Sequence, residues 1–408
     1  MAVRPGLAET AVHAHLLASA PAAGDTLQRP PAEIRLVFSE PVEAVLAGIR
    51  LVRPDGSILE LVVRADPSDV RVVLAPLPAL DPGGYRVAWR VLSADGHPVS
   101  GDYVFYVEGS GSVALAAPPP APVEPQLTLP VASRTAIEAL AMAALLLFAG
   151  SLLFLDPRAR RVPRLAAALA LMAPLLLACD FLVWALMASP GADSPAGALA
   201  RASRTTPGRI ELIRLGLVVL AAWAIALARR PRLSAVLALA AVLASGALGH
   251  ALGRTPLVSI PAKAVHLGAA AAWLGGLVRL AGADPDADGF PWLARRVSSV
   301  ALIAVAVIAA TGILQTALLL PDLPALWGSG YGRLVLAKAG GLAILVALGG
   351  LHRFRLLPRL DAGSGPGLRR SVRRETLVFA VVLMVAAWLA QVPPPGPGSA
   401  ALTEGVAR

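Results

Sequence analysis

Lysine is nearly missing from this chain: Lys263 and Lys338 stand alone among 36 basic residues, and the rest are arginine. Cysteine occurs once, at Cys179 inside an apolar run, which excludes a disulfide framework or a CxxC metal or redox motif within one chain. Methionine is absent between Met1 and Met142, so the amino-terminal region offers no thioether to a soft metal. No GxxxxGKS/T segment and no aspartyl-phosphate motif is present, which leaves ATP-driven pumping by this chain without support.

What is present is apolar. Of 408 residues 56% are hydrophobic, mean hydropathy is +0.69, and soluble domains sit near ~45–50%. The excess is uneven: residues 16–130 alternate like an ordinary soluble domain, and 133–392 carry the long runs. Eight spans are expected, at 133–155, 163–187, 210–228, 233–251, 263–281, 297–320, 333–351 and 375–392. Each is close to the ~20 residues that cross a hydrocarbon core. A net charge of +10 can signal nucleic acid, but here the arginines crowd alternate short loops. Arg158, Arg160, Arg161 and Arg164, then Arg229, Arg230 and Arg232, then Arg279, Arg295 and Arg296, then Arg353 to Arg374 fall on one side. Only Arg201, Arg204, Arg209, Arg254, Lys263 and Arg333 fall on the other. This positive-inside bias places the amino-terminal domain and the carboxyl terminus outside a bacterial plasma (inner) membrane, with lipid and not nucleic acid as the surrounding partner.

Five segments follow. Residues 1–12 hold no apolar h-region and read as the remnant of an incomplete signal, with a start upstream favoured. Residues 13–109 contain short alternating strands such as "EIRLVFS", "DVRVVLAP" and "DYVFYVEG" between Pro, Gly and Asp turns, the pattern of a β-sandwich. Residues 110–132 form a Pro/Ala linker, 133–392 an all-α polytopic bundle of about eight helices, and 393–408 an extracytoplasmic tail.

The six histidines carry the candidate chemistry, since neutral imidazole is the commonest metal ligand. In "SADGHPVSGDY", Asp95 and His97 are two apart, which in extended chain puts both on one face. With a further imidazole from His13 or His15 this makes a mixed N,O set suited to Cu(II). The alternative is a turn at "DGHP" that Asp95 caps. His250 ends the fourth span and His266 opens the fifth, so both are expected at the outer mouth as a membrane copper site or as wetted interfacial residues. Asp180, Glu138 and Met187 lie toward the same half and are possible pathway groups; alternatively Glu138 or Asp180 pairs with Arg214 or Lys338. His352, beside Arg353, reads as an interface residue, and Trp273, Gly275, Gly276, Gly332 and Gly340 as packing residues.

"HAHLLASAPAAG", "IRLVFSEPVE", "GGYRVAWRVLSADGHPVSG" and "YVFYV" resemble the copper-resistance protein C (CopC) family across residues 13–107. The resemblance implies an immunoglobulin-like sandwich that binds Cu(II) through a mature amino-terminal histidine, its amine, and a D-x-H motif. Carried over, the ligands are His13, Asp95 and His97, with His15 a substitute. "GHA", "KAVHLGAAAAWLGGL", "YGRLVLAKAGG" and "RRSVRRETLVFAVVLMVAAWLAQVPP" resemble the copper-resistance protein D (CopD) family over about 135–392.

The expected function is therefore copper binding and transport for uptake, homeostasis or resistance, by a carrier and not an enzyme. A periplasmic copper chaperone or a metallo-oxidase is a possible partner. Two alternatives remain: a haem-containing membrane protein that reduces copper, and a factor that delivers copper to a membrane oxidase.

Overall fold

The computed structural model describes residues 14–94, 96–108, 129–155, 164–249, 255–362, 364–392 and 394–395. The chain forms two compact units, one of residues 1–128 with Leu182–Arg209 and Leu252–Arg254, the other of the remaining segments.

The first unit is built on nine strands: β1 Leu16–Ala20, β2 Thr26–Leu27, β3 Glu33–Phe38, β4 Val42–Val52, β5 Ile58–Leu61, β6 Arg64–Ala65, β7 Val72–Pro76, β8 Gly83–Ser93 and β9 Pro98–Val107. They make two sheets, in the orders β1-β3-β7-β6 and β2-β9-β8-β4-β5. Pairing is antiparallel except between β2 and β9. The period of two in β3 buries Ile34, Leu36 and Phe38. These meet Ile49, Leu51, Val87, Trp89 and Phe105 from the other sheet in one core, where Phe38 and Trp89 pack edge to face at 5.2 Å. Trp89 lies opposite Gly101 in register, and a Cβ there would come within 2.6 Å of the indole. A glycine in mid-strand is thus the space the tryptophan occupies.

Ten α-helices follow among the described residues: α1 Val131–Leu153, α2 Arg164–Ala188, α3 Pro195–Ala202, α4 Thr206–Ala226, α5 Pro231–Ala244, α6 Pro256–Gly282, α7 Phe290–Leu319, α8 Ala325–Gly328, α9 Gly330–Leu351 and α10 Gly365–Gln391. The last turns of α2, all of α3 and the start of α4 belong to the first unit. Ser194 caps α3 by accepting from Gly197 N at 3.1 Å, ahead of a proline at the first helical position. A helical turn of π type, His352–Leu356, continues α9.

Each of the eight expected spans overlaps a helix, and among the described residues five helices are long and apolar enough to cross a membrane: Ala132–Leu153, Arg164–Ala188, Pro256–Gly282, Phe290–Leu319 and Gly330–Leu360. The other three fall short for separate reasons. α5 has 14 residues, α4 carries Arg209, Glu211 and Arg214, and α10 opens on Arg369, Arg370, Arg373 and Arg374. Outward residues such as Leu171, Val236, Ile313, Leu377 and Val381 are exposed and apolar, as a hydrocarbon surrounding requires. Residues 1–12, 110–128 and most of 393–408 lie outside the described residues, and α1 begins at Val131, inside the expected linker.

Helix α6 lies against α1, α5, α7 and α10. Its approach to α1 is backbone to backbone. A Cβ on Gly275 would sit 2.0 Å from the Gly150 carbonyl carbon, and one on Gly150 would sit 1.8 Å from Ala271 O. Small residues permit such a crossing where no water drives association. Gly276 and Gly332 are likewise hemmed in, while Gly340 faces open space and its neighbour Gly341 meets Val382. Replacing Gly275 by valine should push the two helices apart and lower the thermal midpoint of the detergent-solubilised protein. Gly340→Ala should leave it unchanged; equal midpoints would show that the crossing tolerates a side chain.

Candidate metal centre

The β8–β9 connection carries the D-x-H motif. Ser93 N donates to His97 O at 2.9 Å and Gly96 N to Ser93 O at 2.9 Å, with Gly96 at φ +91. The motif is therefore a tight turn and not the extended chain its spacing suggested, because the left-handed glycine reverses the backbone between Asp95 and His97. Asp95 lies outside the described residues. His97 is half-buried.

The amino-terminal arm reaches the same end of the sandwich. His15 N donates to Ser39 Oγ at 3.1 Å, and Ser39 N returns a bond to His15 O at 3.0 Å. Two residues on, Ala94 N donates to Pro41 O at 3.0 Å, and Ser93 Oγ donates to Glu40. Residues Ser39 to Pro41 thus strap the arm carrying His15, which is exposed, to the turn carrying His97. His13 lies outside the described residues, two positions before His15.

The turn is also held from Leu182–Arg209. Trp184 Nε1 donates to Gly96 O at 2.9 Å, and a Cβ on Gly96 would stand 3.5 Å from that nitrogen. Thr206 N donates to Glu43 at 2.8 Å, and Leu46, Leu92 and Ala188 form a small buried cluster beside Trp184. Spacing in the sequence could not reveal Trp184, which lies 88 positions from its partner. Met187 falls in this same segment of the first unit, and Asp180 belongs to the second.

In the helical unit, His266 is buried at 9% exposure. It lies ten residues after the start of α6 at Pro256, so about 15 Å along the helix. Its Nδ1 is 2.9 Å from Thr311 Oγ1. The single hydroxyl proton of Thr311 goes to Val307 O at 2.6 Å, so Nδ1 must be the donor and Nε2 carries the lone pair. A histidine anchored through one ring N–H presents its other nitrogen as a ligand. Both lysines, Lys338 and Lys263, bear electrostatically on this imidazole, and Lys263 Nζ donates to Leu248 O at 2.7 Å. Their charges oppose a divalent cation at His266 more than a monovalent one. His250 lies outside the described residues.

Asp180 is 5% exposed and pairs with Arg134, a cation the sequence reading had not weighed for it. The guanidinium of Arg134 also senses Glu138 and Glu211. Arg214 pairs with Glu211 at 3.0 Å, and Glu138 accepts from Gln391 Nε2. Buried charge is thus neutralised by pairing, with different partners from those expected. Cys179, next to Asp180 in sequence, is exposed. No three His, Cys, Asp or Glu side chains form a metal-holding group among the described residues. His352, expected at an interface, is instead 6% exposed and paired with Glu375, a residue the sequence did not single out.

The CopC domain family model matches residues 16–108, and the Copper resistance protein D family model matches 292–389. The copper transport protein CutJ of Bacillus subtilis (strain 168) is 28% identical, covering 94% of this chain and 74% of its own length. Copper resistance protein C of Escherichia coli is 34% identical over 24% of this chain and 82% of its own length. The crystal structure of CopC from Methylosinus trichosporium OB3b aligns over 25% of this chain and 100% of that one, at 30% identity and a TM-score of 0.24. The chain accordingly belongs to the copper-resistance family, joining a CopC-like domain to a CopD-like membrane domain.

Proposed function

We propose that this protein captures Cu(II) at one end of an immunoglobulin-like sandwich and passes copper to an eight-span bundle that carries it across the bacterial plasma membrane. The observation that carries this is the strap from Ser39 to Pro41, which joins the histidine-bearing arm to the turn of His97. His97, Asp95 and His13, or His15 in its place, then form a nitrogen- and oxygen-rich set of the kind that suits Cu(II). The arginine bias of alternate loops supports an extracytoplasmic β-domain and carboxyl terminus. A periplasmic copper chaperone or a metallo-oxidase is the natural exchange partner for such a carrier.

Within the bundle we assign Nε2 of His266 to copper of low charge, because of the two lysines. His250, at the end of the fourth span, is the second candidate ligand, and Asp180, Glu138 and Met187 remain possible pathway groups.

In the full-length protein, His97→Ala should abolish tight Cu(II) binding measured by competition with a chelator. Trp184→Phe removes one hydrogen bond to the buried turn, worth roughly 1–2 kcal/mol, and should weaken binding about tenfold. Affinity unchanged in both variants would refute the site. His266→Ala should lower copper accumulation in cells; accumulation equal to the parent's would remove His266 from the path.

A further inference from the structure

The bundle holds a second polar array, at the arginine-rich ends of α6, α9 and α10, that copper capture does not use. Glu375 on α10 is 1% exposed and His352, at the start of the π turn, is 6% exposed. His352 Nδ1 lies 3.0 Å from Glu375 Oε2, and its Nε2 lies 2.7 Å from Ser371 Oγ, one turn before Glu375 on the same face. Trp273 Nε1 on α6 donates to the other carboxyl oxygen, Oε1, at 3.1 Å, and its ring packs edge to face on Phe379. Oε2 receives no well-aligned hydrogen bond and is buried. Such a carboxylate is costly to leave charged.

We propose that Ser371, His352 and Glu375 form a proton-binding site, and that its loading and unloading accompany copper movement through the bundle. The second half rests on the transport function proposed above. Trp273 fixes Oε1 as an acceptor, and the proton on Nδ1 stands beside Oε2 at 3.0 Å. The array then carries one negative charge, and Nε2 accepts from the Ser371 hydroxyl. A second proton binds at Nε2 and makes the array neutral. The hydroxyl rotates to accept from Nε2–H and turns its own proton to a helix carbonyl one turn back, an ordinary partner for a helical serine. Both states keep the bond between Nε2 and Ser371, so a proton enters or leaves with only a hydroxyl rotation. Ser371 is the half-buried member, which makes it the point of entry.

The charged groups on the surrounding elements are Arg279 on α6, Arg353 and Arg355 on the π turn, Arg359 beyond it, and Arg369, Arg370, Arg373 and Arg374 on α10. Those with described partners turn elsewhere: Arg353 donates to Ser298 Oγ, and Arg369 and Arg373 to Ala281 O. Turns of π type inside helices recur at functional sites, and this one starts at the imidazole that takes the proton.

The test is nitrogen NMR of the full-length protein labelled with 15N-histidine, with His352 assigned by its loss in His352→Gln. On lowering the pH from 9 to 5, His352 should pass from the Nδ1–H tautomer to the doubly protonated ring. Glu375→Gln should change the pH response of the His352 ring, since it removes the carboxylate that Nδ1 faces. A ring that keeps one tautomer and one protonation state over this range overturns the site. In proteoliposomes loaded with a pH-reporting dye, copper uptake by the parent should be accompanied by a lumenal pH change that His352→Gln abolishes. An equal pH change in both overturns the coupling and leaves the titrating site standing. A parent that moves no copper overturns the coupling together with the transport function.

Discussion

Helix α6 can lie where it does only because Gly150 and Gly275 let two backbones touch. In an apolar surrounding every peptide group must be satisfied within its own helix, and helices then gain by packing closely. The crossing with α1 fixes α6, and α6 carries both His266 and Trp273. The two polar sites of the bundle therefore sit on one rigid element, ten and seventeen residues along it. A change in the crossing would be felt at both.

The β-domain meets a different constraint. A tetragonal Cu(II) site needs donors from distant parts of the chain at one point, and a sandwich offers loops clustered at its ends. Here the residues after β3 bond to the amino-terminal arm on one side and to the β8–β9 turn on the other. Gly96 permits the turn, and its carbonyl is held by Trp184. Loss of a donor to a buried carbonyl is more expensive than loss of an exposed contact, so positioning groups matter here as much as ligands.

Much of this was legible in the residues. Alternation in "EIRLVF" is the burial pattern of β3, and the apolar runs mark every long helix. The depth of His266 was not, because Pro261 and Lys263 interrupt the apolar count; Pro256 at the first helical position was the better start signal. Glu375 follows four arginines as the first residue of the expected span 375–392, and α10, which begins at Gly365, turns it inward. Arg134 escaped notice for the same reason, as a charge near a span end. The D-x-H spacing left extended chain and a turn at "DGHP" open, and the bonds around Gly96 take the second form. Partners such as Trp184 and Gly96 depend on tertiary contact and leave no local signal.

The central claim is that copper first binds at the turn of His97 through nitrogen and oxygen, without sulfur. Pulsed electron paramagnetic resonance of the full-length protein carrying one equivalent of Cu(II) tests it most directly. The account predicts couplings from two imidazoles, falling to one in His97→Ala. Couplings that His97→Ala leaves unchanged, or a sulfur-ligated signal, would contradict it.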